Sequence, residues 1–176
     1  YNILLKDDKG YPFVRVDVKS EYPRMSLVNR QAKDGARYFG PFGGRGQTHE
    51  IIETIQKALL LPSCAKKFPR DIGKERPCLN YHMGNCAGWC RGTPDGEEYR
   101  RRMAQAMLIL EGKSAELTTE LKEKMERAAE ELRFEQAAAL RDRLRAVESL
   151  ANKQRVISTA FADTDAIGFC RGAKSC

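Results

Sequence analysis

The first hydrophobic pattern along the chain is an alternation that predicts short β-strands. Val14, Val16 and Val18 alternate with other side chains, so one face of residues 13–18 would be buried. An apolar run at residues 3–5 precedes them, and a turn sequence, Asp-Asp-Lys-Gly, lies between the two segments. Residues 2–18 are therefore predicted to form a strand, a turn and a second strand.

Helical spacing begins after the glycine-rich stretch at residues 43–46. Thr48 is the predicted N-cap of this helix, and His49 is predicted to be a surface residue. The helix ends before Pro62, and its apolar residues share one face: Ile51, Ile52, Ile55, Leu59 and Leu60.

A second helix is predicted after Thr93 and Pro94, which resemble a cap followed by proline at the first helical position. Three consecutive arginines at 100–102 are predicted to lie on its solvated face. Its apolar stripe ends at Gly112 and consists of Tyr99, Met103, Ala106, Met107 and Leu110.

Two further apolar stripes, beginning at Ser114 and at about Glu135, predict an antiparallel helical hairpin. This hairpin could pack only on its own chain, or it could complete its core on another chain. From residue 154 the sequence favours β-structure, and the spacing of Asp163 and Asp165 is at first sight that of a metal site. The predicted fold class is α+β: a small, β-rich, basic N-terminal part with a four-cysteine loop, followed by an all-α region.

Four cysteines are concentrated in the irregular segment between the first and second predicted helices: Cys64, Cys78, Cys86 and Cys90. Clustered thiols in a reducing compartment more often hold a metal than form disulfides. Four thiolates suit zinc or an iron–sulfur cluster, and the spacing does not decide between them. His82 could replace one thiol, but a loop histidine needs no metal. Cys170 and Cys176 are interpreted as free thiols.

The net charge of +7 is unevenly distributed along the chain. Residues 1–91 contain 16 Lys and Arg against 9 Asp and Glu, whereas residues 92–155 contain 13 of each. A local basic excess is typical of proteins that contact a phosphate backbone. Candidate DNA-binding residues are Lys6, Lys9, Arg24 and Arg37. The first two could instead be solvated turn charges, and the last two could belong to a small core with a polar rim.

The chain contains no apolar run of the roughly 20 residues that a membrane-spanning helix needs. It also shows no signal peptide, so a cytoplasmic protein without a membrane partner is expected. Because it opens without Met and stops inside an unfinished segment, it is expected to be a piece of a longer protein.

Three stretches resemble the UvrC family, which forms part of the bacterial excinuclease. They are residues 1–12, the Tyr-Phe-Gly-Pro sequence at 38–41, and the Lys-Glu-Arg-Pro-Cys-Leu-Asn-Tyr sequence at 74–81 with Cys86 and Cys90. The resemblance implies that the four cysteines hold a 4Fe–4S cluster, with zinc as the alternative. In place of the Ala-Pro-Cys that often precedes the last ligand in this family, the chain has Ala-Gly-Trp-Cys at 87–90.

Residues 125–142 are similar to the UVR motif, through which members of this family dock to UvrB, another component of the excinuclease. The resemblance assigns this docking to four residues at the hairpin tip: Phe134, Glu135, Ala138 and Arg141. An apolar side chain framed by charges is also what an interface hot spot requires.

The resemblance implies five segments. Residues 1–18 would be the tail of a GIY-YIG nuclease domain, 19–91 a basic region with the cysteine cluster, and 92–112 a connecting helix. Residues 113–153 would be the UVR hairpin, and 154–176 the start of a ribonuclease-H-like domain. The resemblance implies that the catalytic acids of that domain come much later, so Asp163 and Asp165 are interpreted as structural. Asn2 would be a remnant of the first nuclease centre, and the Mg²⁺-dependent centres would lie elsewhere in the full-length protein.

The implied function is nucleotide excision repair within the SOS response, by incision of damaged double-stranded DNA on both sides of a lesion. The alternative is a non-enzymatic zinc and UVR adaptor that activates a kinase or protease. Such adaptors have close Cys-x2-Cys pairs, which this chain lacks.

Overall fold

The computed structural model describes residues 11–74, 76–92 and 94–155. The first predicted strand and the segment that contains Asp163 and Asp165 lie outside the described residues. Within the described ranges, no helix combines the length and the apolar character that crossing a bilayer requires.

A small antiparallel sheet forms the N-terminal layer. Its strands are β1 (Phe13–Val16), β2 (Met25–Val28) and β3 (Arg37–Phe39), in the order β2-β1-β3. Val14 pairs with Leu27 on one side and with Phe39 on the other, and both Val14 and Val16 are fully buried. The predicted alternation is confirmed in β1, although Val18 lies beyond the strand and is exposed.

In the part of the chain that the structure describes, five helices follow the sheet. They are α1 (Arg45–Ala58), α2 (Leu79–His82), α3 (Gly96–Leu110), α4 (Ala115–Glu130) and α5 (Phe134–Arg155). The α4–α5 pair is the predicted hairpin, and α5 also packs against α1 and α3. The α+β prediction is therefore confirmed, with a single buried apolar cluster that runs from Val14 in the sheet to Val147 and Leu150 in α5.

Two predicted helix starts were wrong. Helix α1 begins three residues before Thr48, with Gly44 as its N-cap, and the Thr48 hydroxyl donates to the Gly44 carbonyl at 3.2 Å from inside the helix. Helix α3 is capped by Asp95, whose carboxylate accepts from the N–H groups of Glu97 and Glu98, so Pro94 precedes the helix. A carboxylate at the N-cap also favours the positive end of the helix dipole.

The packed face of α3 joins the sheet to the cysteine segment. The fully buried Tyr99 donates its hydroxyl to the Pro23 carbonyl at 2.7 Å. Its ring makes edge contacts with Tyr22 at 5.3 Å and with Trp89 at 5.0 Å between centroids. Burial, first among several causes, raises the pKa of Tyr99 to about 12. One side chain thereby fixes three parts of the chain against one another.

Candidate metal centre and docking surface

The cysteine segment is anchored at the C-terminal end of α1. Leu60 adopts a left-handed conformation, φ +55, at the position after the helix cap where glycine is usual. Its carbonyl accepts two hydrogen bonds from the cysteine segment, from the Trp89 indole at 2.7 Å and from the Ala87 N–H at 3.1 Å. The left-handed conformation costs about 1 kcal/mol or more for a residue with a Cβ. In Leu60 it accompanies a carbonyl that holds the segment around Cys86 and Cys90 in place.

The turn between Cys86 and Cys90 depends on a glycine. Gly88 has φ +80, and a Cβ there would lie 2.7 Å from the Tyr81 ring. The guanidinium of Arg91 stacks on the same ring at 4.8 Å and donates to the Tyr81 hydroxyl. This close approach brings the short α2 helix, which follows Cys78, against the Cys86–Cys90 turn.

The four predicted ligands are free thiols, with Cys86 and Cys90 buried and Cys64 and Cys78 half-buried. Burial raises the pKa of the Cys86 thiol, the N–H groups of Gly88 and Trp89 lower it, and nearby Cys78 and Cys64 raise it further. Cys64 and Cys78 therefore lie close enough to Cys86 to affect its thiol.

The described residues contain no group of three Cys, His, Asp or Glu side chains at the spacing of metal ligands. The chemistry of the donor set nevertheless fits a thiolate-bound group. Four thiols share one segment, and the Gly88 N–H donates to the Cys86 sulfur at 3.5 Å. Such backbone donors stabilise metal-bound thiolate and tune its electronics.

Arg24, a predicted DNA-binding residue, contacts the cysteine segment in the structure. Its Nη1 donates to the Cys64 carbonyl at 2.5 Å, and its guanidinium lies 4.8 Å from the centre of the Phe68 ring. Its Nη2 is buried and has no hydrogen-bond partner among the described residues. Arg24 is therefore placed to position the Cys64 end of the segment, a role that its sequence context did not indicate.

The other predicted DNA-binding residues are divided between surface and undescribed positions. Arg37 is exposed, pairs with Glu111 and lies over the Phe39 ring at 5.0 Å. Lys6 and Lys9 lie outside the described residues, as does Asn2, the predicted remnant of a nuclease centre. His82 is exposed, at the end of the short α2 helix rather than in a loop.

The cysteine segment itself carries an exposed basic surface. Five basic side chains among the described residues of the segment are exposed: Lys67, Arg70, Lys74, Arg76 and Arg91. Asp71 is held inside this segment as a structural anion, because Arg70 and the Lys67 N–H donate to it and lower its pKa to about 2. The positive charge of the surface thus exceeds its negative charge.

The hairpin tip presents apolar side chains to solvent. Phe134 is 65% exposed and Leu132 is 73% exposed, and Leu132 has φ +57. The turn is closed by bonds from the Leu132 and Arg133 N–H groups to the Ala129 and Ala128 carbonyls. Leu132 therefore occupies the left-handed position that ends α4, where glycine is usual, and its apolar side chain is exposed to solvent.

The remaining predicted docking residues follow on the first turns of α5. Glu135 and Arg141 are exposed and Ala138 is half-buried. Arg141 contacts only its neighbour Asp142 among the described residues, at 3.0 Å. In contrast, Val147 and Leu150 near the other end of α5 are covered by the chain itself. The base of the hairpin thus packs on its own chain, whereas its tip is exposed.

Comparison with family models identifies both halves of this architecture. Residues 11–109 match the UvrC/Cho excinuclease middle domain, which covers the sheet, the cysteine segment and α3. The chain belongs to the UvrC family. Residues 115–150, the hairpin, match the UvrB/uvrC motif. The resemblance found from the sequence is therefore confirmed, and the adaptor alternative loses its support.

Individual relatives agree with this UvrC assignment. The chain is 46% identical to the UvrABC system protein C of Ruminiclostridium cellulolyticum over 96% of its own length. It is 43% identical to that of Acetivibrio thermocellus and 46% identical to that of Desulforudis audaxviator, over 97% of its length in each case. It spans 27–28% of the length of these UvrC proteins. No solved structure matches the chain.

Two arginines of this UvrC-family chain were missed or misplaced by sequence reasoning. Arg102 is not on a solvated face, because it lies 5.2 Å from the centre of the Trp89 ring, pairs with Glu98 and donates to the Leu59 carbonyl at 3.3 Å. Arg143, on the inner side of α5, was not singled out. The sequence signal for its inward position is its spacing from Val147, because residues four apart lie on the same face of a helix and Val147 is buried.

Proposed function

We propose that this chain supplies the middle domain and the docking hairpin of a UvrC excinuclease. The full-length UvrC protein would incise damaged double-stranded DNA on both sides of a lesion after docking to UvrB in the cytoplasm. The proposal rests on one observation, the match to the UvrC middle domain followed directly by the UvrB/uvrC motif on a hairpin with an open tip. Binding of the chain to purified UvrB tests it.

Incision itself is proposed for the whole UvrC protein, since the chain spans only 27–28% of its relatives. Mg²⁺ would act at the nuclease centres of that longer protein. The described residues of this chain would contribute binding and assembly. Its basic cysteine segment would face DNA, and its hairpin tip would face UvrB. Expression within the SOS response is part of the same proposal.

The four cysteines are proposed to hold a 4Fe–4S cluster, which would supply structural cross-linking of the segment. The support is the donor set of free thiols, the proximity of Cys64 and Cys78 to Cys86, and the N–H donors at Cys86. Leu60 and Arg24 would hold the two ends of the segment in position for these ligands.

Anaerobically purified protein is expected to be brown, with broad absorbance in the blue region and with iron and sulfide in equal amounts. Cys86→Ser should lose most of the iron, because it removes a buried thiolate ligand. Cys170→Ser, at a predicted free thiol, is the matched control and should keep its iron. Colourless protein with stoichiometric zinc would contradict the cluster while leaving a four-cysteine metal site.

DNA binding is proposed for the basic surface of the cysteine segment. Lys74 and Arg76 are exposed there and belong to the half of the chain that carries the excess positive charge. Neutralising a phosphate with a lysine or arginine releases a counterion, so DNA affinity should fall as salt increases.

Duplex DNA affinity of the double variant Lys74→Gln/Arg76→Gln should depend less on salt than that of the unmodified chain. The slope of log affinity against log salt should become less negative by about 0.9 for each phosphate that the variant no longer neutralises. The control, Lys122→Gln/Arg127→Gln, removes two exposed charges from α4. Equal slopes for all three proteins, measured by fluorescence anisotropy, would place the DNA-binding surface elsewhere.

A further inference from the structure

A cavity of about 130 Å³ lies where the hairpin meets α3 and the end of α1. Its lining includes Ala58 at the end of α1, Arg101 and Arg102 from α3, Lys124 from α4 and Arg143 from α5. Because a single water needs only about 10–15 Å³ of such space, the cavity has room for a small polyatomic ligand. It therefore brings side chains of the middle domain and of the hairpin around one accessible space.

The two acidic side chains of the cavity are already engaged. Glu98 accepts from Arg102 at 2.8 Å and pairs with Arg101 at 2.5 Å. Glu120 pairs with Lys124 at 2.5 Å. Four cationic side chains thus face two carboxylates, and the cavity retains a surplus of positive charge.

Arg143 is the cation without an acceptor. It is half-buried, and among the described residues no hydrogen bond or ion pair reaches its guanidinium. Burial, followed by repulsion from Arg102, lowers the pKa of Arg143. Arg102 and Arg143 both line this partly dehydrated cavity, and an anion bound between their like charges would relieve the repulsion.

We propose that Arg102 and Arg143 form a binding site for a phosphate oxyanion, supplied by a nucleic-acid backbone or by free phosphate. Guanidinium groups match phosphate because their N–H donors bind two oxygens at once. The site does not depend on the proposed excinuclease function, and only its nucleic-acid source rests on that proposal. Since Arg102 belongs to α3 and Arg143 to α5, the bound oxyanion would stabilise the packing of the hairpin against the middle domain.

The thermal midpoint of the 176-residue chain, measured in sodium phosphate and in sodium chloride of equal ionic strength, tests the site. At phosphate about tenfold above its Kd, the midpoint should rise by about 3–5 °C. Arg143→Gln should abolish this rise, and in chloride it should unfold at the same temperature or higher because the repulsion with Arg102 is gone. Arg143→Lys should retain part of the rise.

Arg145→Gln is the matched control, since Arg145 is an exposed arginine on the same helix that does not line the cavity. It corrects for the general stabilising effect of phosphate and should show the full rise. Competition then identifies the source. Phosphate that displaces duplex DNA from the unmodified chain but not from Arg143→Gln indicates backbone phosphate, and stabilisation without displacement indicates free phosphate.

Two outcomes would overturn the proposal. Equal rises for the unmodified chain and Arg143→Gln would show only a general salt effect. No rise at all, combined with loss of UvrB binding in Arg143→Gln, would assign the guanidinium to a carboxylate of a protein partner instead.

Discussion

Tyr99→Ala is expected to lower the free energy of unfolding by about 3–5 kcal/mol, the range for removing a fully buried aromatic side chain. Tyr99 is completely buried, and its ring contacts both Tyr22 and Trp89. The substitution would leave a cavity where the sheet, the cysteine segment and α3 meet. Urea unfolding followed by far-ultraviolet circular dichroism measures the change.

Two further variants separate the contributions of Tyr99. Tyr99→Phe keeps the ring and removes only the donor to the buried Pro23 carbonyl, so it should cost about 1–3 kcal/mol. Tyr11→Ala, at a tyrosine that is 69% exposed, should change stability by less than about 0.5 kcal/mol. A decrease below about 1 kcal/mol for Tyr99→Ala would mean that α3 does not anchor these three parts.

The face of α3 that carries Tyr99 could be predicted from the sequence, but its contacts could not. Helical periodicity depends only on the residues of one helix and correctly grouped Tyr99 with Met103, Ala106 and Leu110, all of which are buried. The acceptor of the Tyr99 hydroxyl lies 76 residues earlier in the chain. No local pattern contains that pairing, because it is created by the packing of α3 across the sheet connection.

The starts of α1 and α3 show how neighbouring residues compete for the N-cap position. Thr48 and Thr93 are acceptable N-cap residues, yet the N-caps in the structure are Gly44 and Asp95. Asp95 carries a full negative charge at the helix dipole, which threonine does not. Thr48 is needed inside α1, where it is fully buried and faces the core. Tertiary packing thus shifted the start of α1 by a turn.

Arginine positions were the least predictable part of the candidate sites. The three residues at 100–102 are all arginine, yet their environments differ. The Arg101 side chain is 65% exposed, whereas the Arg102 side chain is 25% exposed. Long side chains can cover aromatic rings while their charge reaches an acceptor, and only the fold determines which ring is near. The same reason explains why Arg24 approached Cys64 and why Arg143 was overlooked.

The cysteines were recognised from the sequence as a group, and the structure adds how their segment is supported. Their spacing of 13, 7 and 3 intervening residues indicates no standard zinc geometry. Two features could not be predicted: the left-handed Leu60 and the indole bond of Trp89 to its carbonyl. Both depend on the approach of the end of α1 to a turn that follows 29 residues later in the chain.

Phe134→Ala is expected to weaken binding to UvrB by about 2 kcal/mol or more, roughly a 30-fold rise in Kd. Phe134 lies at the open tip of the hairpin, beside the strained and exposed Leu132. An exposed aromatic ring contributes little to the folded monomer, so its removal should affect the complex. Isothermal titration calorimetry with purified UvrB measures the change.

The specificity of this result depends on two comparisons. Leu79→Ala removes an apolar side chain of the cysteine segment that is 68% exposed, and it should leave the Kd unchanged because it lies off the tip. Phe134→Ala should unfold within about 0.5 kcal/mol of the unmodified chain, which excludes a folding defect. Because Val147 and Leu150 at the base of the hairpin are already covered, the tip is the part of the hairpin left open to a partner. An unchanged Kd for Phe134→Ala would therefore place the UvrB interface elsewhere on the chain.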